Sequence, residues 1–267
     1  MKVEDLRRRL SDHVVVTDGA MGSELLQRLP EGSRLDLAAH EHPREVLDIH
    51  LAYIEAGAEL IETATFGCSR PRLERGRVGD LTETVNAEAV KIAREAREIS
   101  GRDVLIAGSI APLAGVLDLD EPEGRAVIPL AHAEQAAALA GRGADLIVLE
   151  TFFRVDEMAI AVAAVRSVTD LPIIGMMTFA HERPPHPYRE QAQHLDELAE
   201  LDLVAVGVNC APGPMGTLEI LRQVQQLRVP LVAAPNAGTL VRREGRILMP
   251  PATPAYLAQF VRQAVGL

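Results

Sequence analysis

The run Asp145-Leu146-Ile147-Val148-Leu149-Glu150-Thr151 places four large apolar residues in succession and closes them with a carboxylate. It lacks the apolar–polar alternation of a strand with one wet face. A near-continuous apolar run of this length fits a strand buried on both faces, as in an all-parallel sheet. A glutamate at its end sits where a buried interior meets a mouth, and a charge there needs a partner or a cationic ligand. Six more runs of this kind lie at 13–18, 59–65, 104–110, 172–178, 204–210 and 230–236. Between and after them come segments of helical period near 44–56, 83–99, 131–142, 155–168, 190–200, 215–227 and 253–265. Strict alternation of strand and helix predicts a parallel sheet with right-handed crossovers.

Connection lengths separate the two ends of that sheet. Helix-to-strand turns are short: Ala56-Gly57-Ala58, Arg142-Gly143-Ala144, Thr169-Asp170-Leu171 and Leu227-Arg228-Val229. Strand-to-helix loops are long at 19–43, 111–130 and 179–189. One face is trimmed and the other elaborated, the asymmetry of a (β/α)8 TIM barrel whose active site lies at the strand C-termini. An open doubly wound sheet is the competing architecture, but no Gly-rich dinucleotide fingerprint follows any strand. The runs number seven, and a final helix leads to Leu267. The expectation is therefore one barrel domain over 1–267, C-terminally truncated, with strand eight missing. Seven parallel strands alone would leave two unpaired edges.

Composition narrows the function classes. The 267 residues are 48% hydrophobic and 24% charged, ordinary for a globular domain with a sizeable core. The net charge of −11, with no basic run, speaks against nucleic acid as a partner. No stretch approaches the ~20 apolar residues of a membrane helix, and the polar start Met1-Lys2-Val3-Glu4-Asp5 is unlike a signal peptide. Two cysteines, Cys68 and Cys210, make no disulfide framework, which fits a cytoplasmic, reducing compartment.

The strand ends supply the candidate site. They read Asp18-Gly19-Ala20-Met21-Gly22-Ser23, Glu62-Thr63-Ala64-Thr65-Phe66-Gly67, Gly108-Ser109-Ile110-Ala111-Pro112, Glu150-Thr151-Phe152, Thr178, Asn209-Cys210 and Pro235-Asn236-Ala237-Gly238. Each has a plain structural explanation: Asp18 as a turn former, Cys210 and Cys68 as buried structural thiols, the glycines as tight turns. Convergence on one rim favours function.

In order and position, Asp18–Ser23, Thr63–Gly67, Leu149–Phe152, Gly207-Val208-Asn209-Cys210 and Pro235–Gly238 resemble the homocysteine S-methyltransferase family over essentially the whole chain. The likeness is nearest to the N-terminal domain of bacterial two-domain proteins that pair this activity with methylenetetrahydrofolate reductase. The resemblance implies zinc-dependent methyl transfer to homocysteine, with Cys210 as one zinc ligand. It implies two further ligands in a Gly-Gly-Cys-Cys motif at the end of strand eight. This sequence has no such motif, so those ligands are expected beyond Leu267. A thiol with a pKa near ~8.5 is mostly protonated at neutral pH, and zinc favours its thiolate. Three protein thiolates leave one open position for the substrate sulfur.

Asp18 and Glu150 are the expected partners of the substrate amino group, with Asn209 beside them. Backbone N–H groups from Gly19 to Ser23 and around Thr65 are expected to hold the substrate carboxylate. The methyl donor stays open among methylfolate, S-methylmethionine and S-adenosylmethionine, and a downstream reductase domain is an expected partner of the first. No cobalamin-type Asp-x-His-x-x-Gly motif occurs. Two other readings stand beside this one: a metal-free non-catalytic remnant or interaction domain of the same fold, and an unrelated metal-free barrel enzyme using Glu150 as a base.

Overall fold

The computed structural model describes residues 1–179, 187–210, 213–224, 229–237, 241–243, 246–248 and 252–267. Its elements in chain order are α1 (Val3–Asp12), α2 (Met21–Arg28), α3 (Ala38–Glu41), α4 (Pro43–Ala56), β1 (Leu60–Glu62), α5 (Arg70–Glu74), α6 (Thr82–Ser100), β2 (Leu105–Ile110), α7 (Pro122–Arg142) and β3 (Leu146–Phe152). Then follow α8 (Val155–Arg166), β4 (Ile173–Met177), α9 (Pro187–Leu198), β5 (Ala205–Cys210), α10 (Pro214–Leu221), β6 (Leu231–Pro235), β7 (Val241–Arg243), β8 (Arg246–Leu248) and α11 (Pro254–Ala264).

Strands β1 to β6 form one parallel sheet in sequence order, each paired with the next, an α/β fold curled into a half-barrel. Burial on both faces explains the unbroken apolar runs. Leu60, Leu105, Ala107, Leu146, Val148, Ile174, Met176 and Ala205 pack together on one face, and Leu6 of α1, fully buried, covers them. Alternate residues, among them Ile147, Leu149, Ile173, Met177, Val206 and Val208, face the helices. Gly207 marks the tightest approach between strands: a Cβ there would lie 2.0 Å from the Val232 carbonyl oxygen of β6. Leu203 likewise fills the space beside Gly175.

The eight-stranded ring is not what the described residues form. The segment expected as the first strand, 13–18, contributes a single bridge, Thr17 to Leu60. It runs extended beside β1, where Glu59 N–H donates to Val16 O and Asp18 N–H to Leu60 O at 2.9 Å. Val14 and Val16 nevertheless stay 58% and 52% exposed, so one of its faces is uncovered and the pairing stops short. The pair β7 and β8 is antiparallel and was not expected. Three-residue strands of Val-Arg-Arg and Arg-Ile-Leu hold no apolar run to mark them. Helix α7 starts at Pro122 rather than 131, because Pro122 opens its first turn and Pro129 is carried inside the helix. Helix α10 closes at Leu221, and residues 225–227 of the expected 215–227 helix lie outside the described residues. Gly238 and 180–186 of the third long loop do so too.

Candidate functional site

Side chains alternate across a strand, so the inward face that carries Leu146 and Val148 also carries Glu150. The same parity sends Glu62 inward after Leu60, Ser109 after Ala107, and Asn209 after Ala205 and Gly207. These groups meet at the strand C-termini. Ser109 Oγ donates to Glu150 Oε1 at 2.5 Å, and Asn209 Nδ2 donates to Glu150 Oε2 at 3.0 Å. The same Asn209 nitrogen donates to Thr151 Oγ1 at 2.8 Å, while Thr151 N–H donates to Asn209 Oδ1 at 2.9 Å. Cys210 Sγ lies 3.7 Å from both Thr151 Oγ1 and Asn209 Nδ2. Asp18 is anchored from below, where Glu62 N–H donates to its Oδ2 at 2.9 Å.

Three partly buried carboxyl groups thus lie close together. Burial pushes Asp18 well above the usual carboxylate range, against the pull of the Glu62 N–H, and the Glu150 charge adds to the rise. Glu62 is driven up by burial and then by the charges of Glu150 and Asp18. Glu150 is raised by burial but held down by hydrogen bonds from Ser109, Glu62 and Asn209. The contact between Glu62 and Glu150 acts in opposite senses on the two carboxyls, raising Glu62 and lowering Glu150. Burial also raises the Cys210 thiol, with Thr151 opposing and Glu150 adding to the effect.

Two residues here hold backbone angles that L-residues rarely adopt: Thr151 at φ 64° and Cys210 at φ 60°. Cys210 is the last residue of β5 and Thr151 the last but one of β3, and a register shift in the β3–β4 pairing falls between Leu149 and Phe152. Such outliers persist only where surrounding bonds over-determine them.

The expected residues are not all placed alike. Asp18, Glu150, Asn209 and Cys210 come together. Gly19 sits against the Tyr53 ring, 2.8 Å from its hydroxyl to the position a Cβ would take, so a larger residue there would push the ring aside. It leads into α2, whose first turn has no side-chain cap and presents N–H groups at its start. Thr65 is different. Its N–H donates to Thr63 O at 2.7 Å, and its hydroxyl donates to Ser109 O at 2.7 Å, so both are spent within the turn. Thr65 stitches the β1 end to β2, and its own polar groups are not turned to a ligand. Glu62, which the sequence places at a strand end without a role of its own, joins the cluster, and Leu60-Ile61-Glu62 ends in the same way as Leu149-Glu150.

Residues 15–266 match the sequence profile of the homocysteine S-methyltransferases. The chain belongs to the homocysteine S-methyltransferase family. Among relatives of this family, it is 31% identical over 252 residues to methionine synthase of Mycobacterium tuberculosis (strain ATCC 25618 / H37Rv), covering 88% of this chain and 21% of that protein. It is 29% identical over 224 residues to S-methylmethionine–homocysteine S-methyltransferase BHMT2 of Pongo abelii, covering 82% of this chain and 58% of that protein. The chain thus spans about a fifth and somewhat over half of the lengths of these relatives. The metallated form of the homocysteine methyltransferase MmuM from Escherichia coli superposes with a TM-score of 0.75 at 24% identity, covering 98% of this chain and 91% of that one. That likeness concerns the fold.

The residues present do not fit a three-thiolate metal centre. Among the described residues no three His, Cys, Asp or Glu side chains are grouped to hold a metal ion. Cys68, the other cysteine, is buried with Leu37, Leu73 and Val85. Its Sγ donates to Asp36 O at 3.1 Å, and burial raises its thiol pKa far above the usual range.

Proposed function

We propose that this family member seats homocysteine at the strand ends and presents its sulfur for methylation to methionine. The observation that carries this reading is the inward cluster of Asp18, Glu62 and Glu150 beside Asn209 and Cys210. Buried carboxylates without a cation are costly. The ammonium group of an amino acid relieves that cost at Asp18 and Glu150, and Asn209 keeps Glu150 aimed. The N–H groups that open α2, from Gly19 to Ser23, suit the substrate carboxylate, since a helix N-terminus favours an anion. The sulfur is then left toward Cys210. In the transfer, a sulfur lone pair forms the new S–CH3 bond as the donor's bond to that methyl breaks, the bonding pair stays on the departing donor, and the thiol proton passes to water.

Zinc activation, expected from the family resemblance, needs thiolates in addition to Cys210 that the residues present do not supply. No step is therefore assigned to a metal. The donor is drawn from methylfolate, S-methylmethionine and S-adenosylmethionine, and a reductase domain as partner goes with the first.

A second reading, a metal-free non-catalytic remnant or interaction domain of the same fold, keeps the homocysteine seat without catalysis of its own. Calorimetry under reducing conditions tests the shared part of the two readings. Homocysteine binds, and Glu150→Gln weakens it by about tenfold or more, the scale of one charge-assisted hydrogen bond. No heat of binding overturns both readings. Methionine formed from homocysteine and any one of the three donors, with zinc supplied, selects the first reading. Binding without transfer selects the second.

A further inference from the structure

The loop that follows β2 is held from two sides by charged residues outside the cluster just described, Arg72 partly buried and Glu157 fully so. On one side Arg72, in α5, donates from Nη2 to Pro112 O at 2.6 Å. Its guanidinium carbon lies 5.9 Å from the centroid of the Phe66 ring, which is 40% exposed at the rim. On the other side Glu157, in the first turn of α8, accepts at Oε1 from two successive N–H groups, Leu113 at 2.6 Å and Ala114 at 3.2 Å. Glu157 is 1% exposed, and Leu113 beneath the loop is fully buried.

The bonding of this clamp is incomplete. Glu157 Oε2, Arg72 Nε and both ring nitrogens of the buried His132 have no hydrogen-bond partner. Arg72 is near enough to Glu157 and to His132 for its charge to act on both. Buried polar atoms without partners weaken the packing around them. The loop therefore rests on a floor held by few bonds, of which the two to Glu157 Oε1 are the shortest path to the helix behind. Beyond it a cavity of about 450 Å³ opens, lined by Val116, Leu117, Leu119, Ile128, Arg154 and Glu157.

Position gives the clamp its use. The loop begins directly after Ser109 and Ile110, at the end of the strand whose serine holds Glu150. The groups assigned to homocysteine lie on the strand ends and at the start of α2, and none of them is on this loop. A second substrate must approach the seated sulfur from the mouth, past this wall. We infer that Glu157, with Arg72, is a positioning residue that fixes the 111–116 wall of the mouth and so governs binding of the methyl donor rather than of homocysteine. This inference rests on the function proposed above.

The test compares Glu157→Ala with Glu157→Gln, which keeps a carbonyl acceptor in the same place. Amide hydrogen exchange at Leu113 and Ala114 rises by about tenfold or more in the alanine variant and stays near wild type in the glutamine variant, as expected for loss of a net hydrogen bond. In transfer assays the alanine variant raises the donor KM by about tenfold, while the calorimetric Kd for homocysteine stays within about twofold; the glutamine variant restores the donor KM. Unchanged exchange in Glu157→Ala overturns the clamp. Equal weakening of homocysteine and donor overturns its assignment to the donor. Should the wild-type chain transfer no methyl group from any donor, the catalytic reading fails and the donor role falls with it, while the exchange measurement still decides the clamp.

Discussion

Asn209 Nδ2 lies 3.0 Å from Glu150 Oε2, and through this one amide the ends of β3 and β5 are tied together. The amide also donates to Thr151 Oγ1 and accepts from Thr151 N–H, so its orientation is set from β3, across the intervening β4. A side chain bonded at both its oxygen and its nitrogen is positioned far more narrowly than one bonded once.

Asn209→Ala removes these bonds together. Homocysteine affinity is expected to fall by about tenfold to a hundredfold, since Glu150 loses a donor and Thr151 its partner. Asn209→Asp is expected to weaken binding as well, because it sets a further carboxylate against Glu150. Isothermal titration at neutral pH reads both. An alanine variant that binds like wild type would remove Asn209 from the site.

The two thiols differ in reach. Cys210 is partly exposed and Cys68 buried, and burial raises both above the ordinary thiol value. A disulfide reagent applied to the native protein is expected to titrate one thiol, slowly at neutral pH and faster as pH rises, with the second appearing only on unfolding. Cys210→Ser abolishes the native-state reaction, and bound homocysteine slows it in wild type. Reaction at Cys68 before Cys210 would contradict the placement of both.

His50 and His132 are fully buried with no partner at either ring nitrogen, and burial lowers each to about 4 from 6.5. The unfolded chain then binds more protons than the folded one between those two values, so stability rises with pH across the window. Their contribution is complete above 6.5 and is lost as pH falls toward about 4. Asp18 and Glu62, raised by burial, give a slope of the opposite sign, with stability lost as pH climbs above the ordinary carboxylate range. The two effects separate by difference. Relative to wild type, His50→Gln should lose less Tm on acidification from pH 7 to 4.5, as followed by circular dichroism. Parallel curves would refute the histidine assignment.

Strands two to seven of the sequence analysis were legible because burial on both faces writes an unbroken apolar run, and β3 is the clearest case. The short helix-to-strand turns likewise marked the trimmed end. The 13–18 segment has the same apolar character, Val14-Val15-Val16, but pairing depends on what covers its outer face, and nothing local to it says so. Helix α1 is not among the expected helices, although Val3, Leu6 and Leu10 fall at helical spacing and Leu6 forms the fully buried cover of the inner sheet face. At the site, Asp18, Glu150, Asn209 and Cys210 were visible as polar residues closing strands. Glu62 closes β1 in the same fashion, but nothing in the sequence separates its role from that of the threonines after it. The spent hydrogen bonds of Thr65 were not readable, because they depend on Ser109 of the next strand. The Glu157 clamp was equally hidden, since a glutamate in a helix's first turn ordinarily faces water.

The left-handed angles at Thr151 and Cys210 change what a strand end can offer. On a regular strand, successive residues face opposite sides, so Glu150 and Asn209 turn inward and the residues after them turn away. Here the reversed twist brings Thr151 Oγ1 and Cys210 Sγ back to the side of Asn209, within 3.7 Å of each other. Each of these two strands thereby delivers a consecutive pair of functional side chains to one chamber where regular parity allows one. A glycine at either position would relax the backbone and empty half of that pair.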